Sequence, residues 1–345
     1  MNSIIDYRTD AVTLATYKMR QAMANAEVGD DFSGEDPTVN RLEAMSAKIF
    51  GKEAAMFVIT GTMANQIAIM TSTHPGDEVL VGVESHIYSK ENDALEALSG
   101  VQAKSLRSTN GQFDFNDIKR VIRTSGIQSS STSVLCLENT YDLNRGIPLS
   151  AEYISEVSRI AHENNLFVYL DGARIFNTAI ALDVEPEVLC RGVDAMQFSL
   201  CKALAAPVGC ILLGSSEFIE RARLMRHRIG GAMAQAGHMA AAGIVALETM
   251  IDSIKEDHLN ARRLARGLAS IDGGLTKIEN AFTNILQVDF GNSNKDATYI
   301  AAALNQYGIK VKVIDSRTCR FVTHVDITSE DIDKTIEAVR NILSS

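Results

Sequence analysis

An α/β fold with a large, mostly parallel sheet and a smaller α+β lobe after it is what this 345-residue sequence predicts. Two observations carry the prediction. Short apolar runs of strand length alternate with helical patterns from Ala54 to Leu213. From about residue 252 the pattern becomes a mixed set of helices and strands, although no Pro/Gly linker marks the change. The expected division is an N-terminal arm with a large domain over residues 1–251, and a small domain over residues 252–345.

The elements follow in order. Residues 1 to about 40 read as an arm, because the acidic, glycine-rich run Glu27 to Pro37 has too little apolar content for a core. Thr38 is the expected N-cap of a helix from Val39 to Phe50 that stops at Gly51. Apolar strands are expected at Ala54 to Ile59, Glu78 to Val83, Val101 to Leu106 and Ser133 to Leu137. Between and after them come helices Met63 to Thr71, Glu91 to Leu98 and Ala151 to Glu163. Strand Leu166 to Leu170, helix Arg174 to Leu182, and strands Ala195 to Leu200 and Cys210 to Leu213 continue the alternation. A basic helix, Glu217 to His227, ends at Gly230-Gly231. Met233 to Ile251 is Ala- and Met-rich with little charge, as a helix buried in a core or a subunit interface would be. The small lobe reads as helix Asp257 to Leu268, strand Asn284 to Phe290 and helix Ala297 to Gln306. Strands Lys310 to Ile314 and Arg320 to His324 and helix Ser329 to Leu343 complete it.

Composition narrows the function classes. The chain is 46% hydrophobic and 22% charged, as ordinary soluble globular proteins are. A net charge of −10 argues against nucleic acid or an anionic membrane surface as partner. The five cysteines, Cys136, Cys190, Cys201, Cys210 and Cys319, show neither metal-ligand spacing nor a disulfide pattern, so no metal is expected. No apolar run reaches membrane-spanning length, and the start carries Asp6 with no signal-peptide core. A cytoplasmic protein is expected.

Chemistry is concentrated where strands end, since open α/β sheets bind ligands beyond the carboxyl ends of their strands. The strand Ala195 to Leu200 delivers Lys202 among small apolar residues, and such surroundings favour a nucleophilic, uncharged amine. Thr60-Gly61-Thr62 stands at a strand-to-helix turn, where backbone N–H groups and a hydroxyl suit a phosphate. Asp171, followed by Gly172, is placed to keep a pyridine nitrogen protonated. Arg174 suits a carboxylate or a ring hydroxyl, and Arg320 could clamp a substrate carboxylate across the cleft. His86, after the strand ending at Val83, could lie over a heteroaromatic ring and move substrate protons. Each has an ordinary structural alternative, such as an N-cap, a surface ion pair or a satisfied core histidine. Together they form a kit that fits pyridoxal 5′-phosphate (PLP).

The sequence resembles the L-threonine aldolase branch of the fold-type I, aspartate-aminotransferase-like PLP enzymes. The matching stretches include Val28 to Glu43, Gly61 to Asn65, Leu137-Glu-Asn-Thr140, Leu170 to Asn177, Ala206-Pro-Val-Gly209, Gln235-Ala-Gly237 and Phe321 to Asp326. The resemblance implies a seven-stranded large-domain sheet and a PLP-dependent carbon–carbon lyase that cleaves a β-hydroxy-α-amino acid to glycine and an aldehyde. It implies Lys202 as the cofactor-linked lysine, Asp171 at the ring nitrogen, His86 on the ring, and Gly61 and Thr62 at the phosphate. Thr9, Arg174 and Arg320 are implied around the substrate carboxylate. A homotetramer with sites shared between subunits is also implied. The chain departs from the family pattern at Tyr141, where the family has histidine, at Cys201, at Ala203-Leu204-Ala205 and at Ala234, where an arginine is lost. Tyr141 keeps open a β-eliminating or transaldolase reaction on another amino acid. His86, Tyr141 or a water is the expected base.

Overall fold

The computed structural model describes residues 4–124, 126–127, 130–271, 275–277 and 280–344. The N-terminal residues are no loose arm. Strand β1 (Ile5–Asp6) begins them, and Thr16 caps helix α1 (Tyr17–Ala24) through a hydrogen bond from the Met19 N–H. Met19 and Tyr7 are fully buried. Helix α2 (Pro37–Phe50) is capped by Asp36 rather than Thr38, because Asp36 accepts from both the Thr38 and Val39 N–H groups and Pro37 occupies the first helical position.

The alternation that follows keeps the expected strands and adds two helices, at His86–Ser89 and Phe115–Val121, that were not expected. It runs β2 (Ala54–Val58), α3 (Gly61–Ser72), β3 (Glu78–Gly82), a short α4 (His86–Ser89), β4 (Gln102–Leu106), α5 (Phe115–Val121) and β5 (Thr132–Glu138). Helix α6 (Ala151–Glu163) shows why such elements were legible. Ser150 accepts from the Tyr153 N–H, and Ile154, Val157, Ile160 and Ala161 recur on one buried face. Next come β6 (Phe167–Asp171), α7 (Ile175–Leu182), β7 (Ala195–Ser199), β8 (Cys210–Gly214) and α8 (Ser216–Arg228). The sheet has seven strands in the order β2-β8-β7-β6-β5-β3-β4, with β8 antiparallel to both of its neighbours. This is the fold-type I arrangement.

Two expected helices are corrected. Glu91 to Leu98 is not a helix: Asn92 and Asp93 have φ of 55° and 56°, and only a π-helical turn, Leu95–Ser99, follows. Glu91 is turned inward instead, to accept hydrogen bonds at the site described below. The low-charge helix begins at Gly237, not Met233, so α9 is Gly237–Thr249. It is buried against α1 and α2.

A second core gathers around α10 (Ile254–Ala269), β9 (Ile285–Asp289), α11 (Ala297–Gln306) and the strands β10 (Ile309–Lys310), β11 (Lys312–Val313) and β12 (Thr318–Val322), closed by α12 (Ser329–Ser344). The single strand expected at Lys310 to Ile314 is split because the chain changes partner there. Lys310 pairs with Asp6 of β1, while Lys312 pairs with Arg320 of β12. Ile5 and Tyr7 thereby join the core of this second lobe. Among the described residues no helix is long and apolar enough to cross a membrane.

Candidate active site

At the carboxyl ends of β2, β5, β6 and β7 lies an open cavity of about 640 Å³. Gly61, Thr62, His86, Asp171, Arg174 and Lys202, from four separate stretches of sequence, all line it. Asn65, Glu138, Leu143 and Gln197 line it as well. The sequence reading had passed over their side chains, although all but Leu143 stand within or beside stretches it had singled out.

Helix α3 sets up the anion-binding wall. Thr60 caps it by accepting from the Met63 N–H, which leaves the first-turn amides of Gly61 and Thr62 at the cavity. A helix N-terminus with free N–H groups attracts a phosphate.

Asp171 ends β6 and is 3% exposed. Its carboxylate accepts from Asn65 Nδ2 at 2.9 Å, from the Ala173 N–H at 3.0 Å, and from Gln197 Nε2. Both amides are oriented by second bonds: Tyr169 Oη donates to Asn65 Oδ1, and Cys210 Sγ donates to Gln197 Oε1. The fixed amides hold the carboxylate in one place. Gly172 is required next, because a Cβ there would stand 2.6 Å from the Gln197 carbonyl oxygen.

His86 begins α4, and its Nδ1 lies 2.9 Å from Glu91 Oε1. Glu91, whose side chain is fully buried, also accepts from Asn65 and Gln66. One carboxylate therefore ties the histidine to the Asp171 network, which is why Glu91 cannot begin a surface helix. Lys202 sits beyond β7 in a turn closed by the Ala205 N–H to the Lys202 carbonyl, with Ala205 at φ of 56°. Its amine has no hydrogen bond or ion pair among the described residues.

Arg174 is engaged within the chain. Its Nε and Nη2 donate to the two oxygens of Asp10, each at 2.7 Å, and both side chains are buried. Burial opposes the Asp10 charge, but Arg174, Lys202 and an Asn284 hydrogen bond outweigh it and hold this carboxyl well below the usual range. Thr9 does not line the cavity; its hydroxyl accepts from the Ala11 N–H and caps the turn that carries Asp10. Arg320 is 1% exposed and also lies behind the cavity wall, donating to the carbonyls of Leu143 and Arg8. Burial, then the Arg174 charge, push its guanidinium down to about 10.

Tyr141 is not brought to the cavity. Its ring is buried over Gly82, and its hydroxyl donates to Glu84 Oε2 at 2.7 Å. Burial drives the phenol pKa further up, which favours its neutral form as a donor to Glu84. Of the expected proton-handling residues, only His86 faces the cavity.

The chain is 38% identical to the low-specificity L-threonine aldolase 1 of Arabidopsis thaliana, with 98% of this chain and 96% of that one covered. It is 36% identical to the low-specificity L-threonine aldolase of Escherichia coli K12, with 95% and 96% covered. In fold it matches the threonine aldolase of Leishmania major with a TM-score of 0.83, over 98% of this chain and 99% of that one at 17% identity. The beta-eliminating lyase family model matches residues 6–290, and with these relatives over nearly the whole length the chain belongs to that family.

Proposed function

We propose that this chain is a PLP-dependent lyase that cleaves the Cα–Cβ bond of a β-hydroxy-α-amino acid of threonine or allo-threonine type, releasing glycine and an aldehyde. The carrying observation is that Lys202, Asp171 and the N-terminus of α3 face one cavity from three separate strand ends. An amine without a partner, a carboxylate fixed by three N–H donors and a helix N-terminus are the three features the aldehyde, ring nitrogen and phosphate of PLP require. The residues present fit the group.

When bound, PLP supplies an electron sink for the bond that breaks. Lys202 is the residue that holds the cofactor covalently, and Asp171 keeps a proton on the ring nitrogen. Gly61 and Thr62 bind the phosphate. Arg174, which lines the cavity, orients the substrate carboxylate, so that the bond to be broken is presented in one direction, while Arg320 and Thr9 support the wall from behind, through the Leu143 carbonyl and the turn that carries Asp10. His86, held by Glu91, or a water beside it takes the proton from the β-hydroxyl. The reading includes a cytoplasmic enzyme working as a homotetramer with sites shared between subunits, which rests on the family resemblance alone.

The test is Lys202→Ala, assayed with threonine, allo-threonine and phenylserine for glycine and aldehyde. Loss of cofactor absorption and of activity is expected; a variant retaining both would refute the assignment. The displacement of Tyr141 from the cavity favours one second reading, β-elimination or transaldolation on another amino acid. Wild-type enzyme that gives pyruvate or ammonia from other amino acids, and no aldehyde from the three, would select it.

A further inference from the structure

Two carboxylates end adjacent strands and face the same cavity. Glu138 closes β5, Asp171 closes β6, and the two are register partners. Their surroundings are opposite. Asp171 receives three N–H donors. Glu138 receives one, the His86 backbone N–H at 2.5 Å from Oε2, and no partner for Oε1 is found among the described residues. Glu138 is 7% exposed. Around it stand the negative Asp171 and Asp142, the positive Lys202 and Arg174, and the phenol of Tyr141. Asp142 is itself paired with Arg145 at 2.7 Å. Burial first, and then the Asp171 charge, push the Glu138 carboxyl well above the usual range. Of the two, Glu138 is the acid driven toward its neutral form, in which it can donate a hydrogen bond.

Where Glu138 stands relative to PLP follows from the order of the strands. On the other side of Asp171 is Gln197, its register partner on β7. The Gln197 amide is 3.6 Å from where a Cβ on Gly61 would be. Glu138 and the phosphate cradle thus flank Asp171 on opposite sides. In PLP the nitrogen and the aldehyde carbon mark the two ends of the ring axis, and the phosphate arm and the 3-oxygen lie on opposite flanks of it. With the nitrogen at Asp171, the aldehyde at Lys202 and the phosphate at Gly61 and Thr62, the 3-oxygen is on the Glu138 flank.

We propose that Glu138 donates a hydrogen bond from its carboxylic acid to the 3-oxygen of the cofactor, an inference that rests on the PLP reading above. The 3-oxygen carries negative charge, and that charge holds the proton on the adjacent lysine-linked nitrogen. A donor at the oxygen draws off part of the charge and lets the proton leave at lower pH.

The experiment titrates substrate-free, PLP-loaded wild type, Glu138→Gln and Glu138→Ala, following the cofactor's visible absorption band against pH. The amide of Glu138→Gln still donates, so its midpoint stays within about 0.3 pH units of wild type. Glu138→Ala removes the donor and raises the midpoint by about one unit, a tenfold change in the proton equilibrium. An unchanged or lowered midpoint in Glu138→Ala overturns the proposal. If Glu138→Ala does not fold, Glu138→Gln still decides: were Glu138 an anion on the ring oxygen, its loss would lower the midpoint by a unit or more. Wild-type protein that takes up no PLP at all sinks the functional reading, and this inference with it, before any variant is compared.

Discussion

Replacing Asp10 with asparagine tests how the guanidinium of Arg174 is held. In the wild type the two form a bidentate pair at 2.7 Å on both arms, with side chains 0% and 6% exposed. The amide keeps the shape and removes the charge, leaving a buried cation without its counterion. Breaking a buried pair from one side costs about 3–5 kcal/mol. Over 345 residues, at about 2.1 cal/mol/K of unfolding entropy per residue, that lowers Tm by roughly 4–7 °C. A carboxyl held low in the folded state contributes fully above its unfolded value, and the contribution is lost as pH falls toward the folded value. The difference in Tm is therefore flat between about pH 5 and 8 and shrinks below about pH 4. Calorimetry at several pH values reads this directly. An Asp10→Asn protein melting within a degree of wild type at pH 7 would show that the pair does not carry this stability. So would a gap that widens in acid.

Two further predictions come from the same network. Tyr141→Phe removes a hydroxyl bonded to Glu84 outside the cavity, so kcat for aldehyde release stays within about threefold while stability falls by about 1 kcal/mol; a hundredfold loss of kcat would return Tyr141 to the catalytic machinery. Asn65→Ala takes one donor from Asp171 and one from Glu91, and is expected to weaken PLP binding about tenfold, measured by equilibrium titration; unchanged affinity would show that the remaining donors suffice.

Much of the sheet was legible because its strands are short uninterrupted apolar runs and its helices carry their own caps, as Ser150 does for α6. The elements misread are those shaped by distant partners. Glu91 has the local pattern of a helix start, yet three side chains claim its carboxylate, and the chain turns through positive φ directly after it. Helix α1 escaped notice because it is only eight residues long and Met19 is its single fully buried residue. Gly61, Asp171 and Lys202 could be picked out as residue types at strand ends. Asp10 could not, since an acid near the start of the chain gives no sign that its partner lies 164 residues on. Tyr141 was weighed as a base because it replaces a histidine. Its direction is decided by the space above Gly82, which no local pattern encodes.

The pairing of Ile5 with Ile309 has a bearing on how the protein is made. On the ribosome the first strand must wait for almost the whole chain to emerge before its neighbour exists, while the seven-stranded sheet is complete once β8 has been synthesised. Asp10, the partner of Arg174, is carried on that waiting segment. A nascent chain can thus hold every strand of its large sheet while the segment that carries Asp10 still lacks its strand partner.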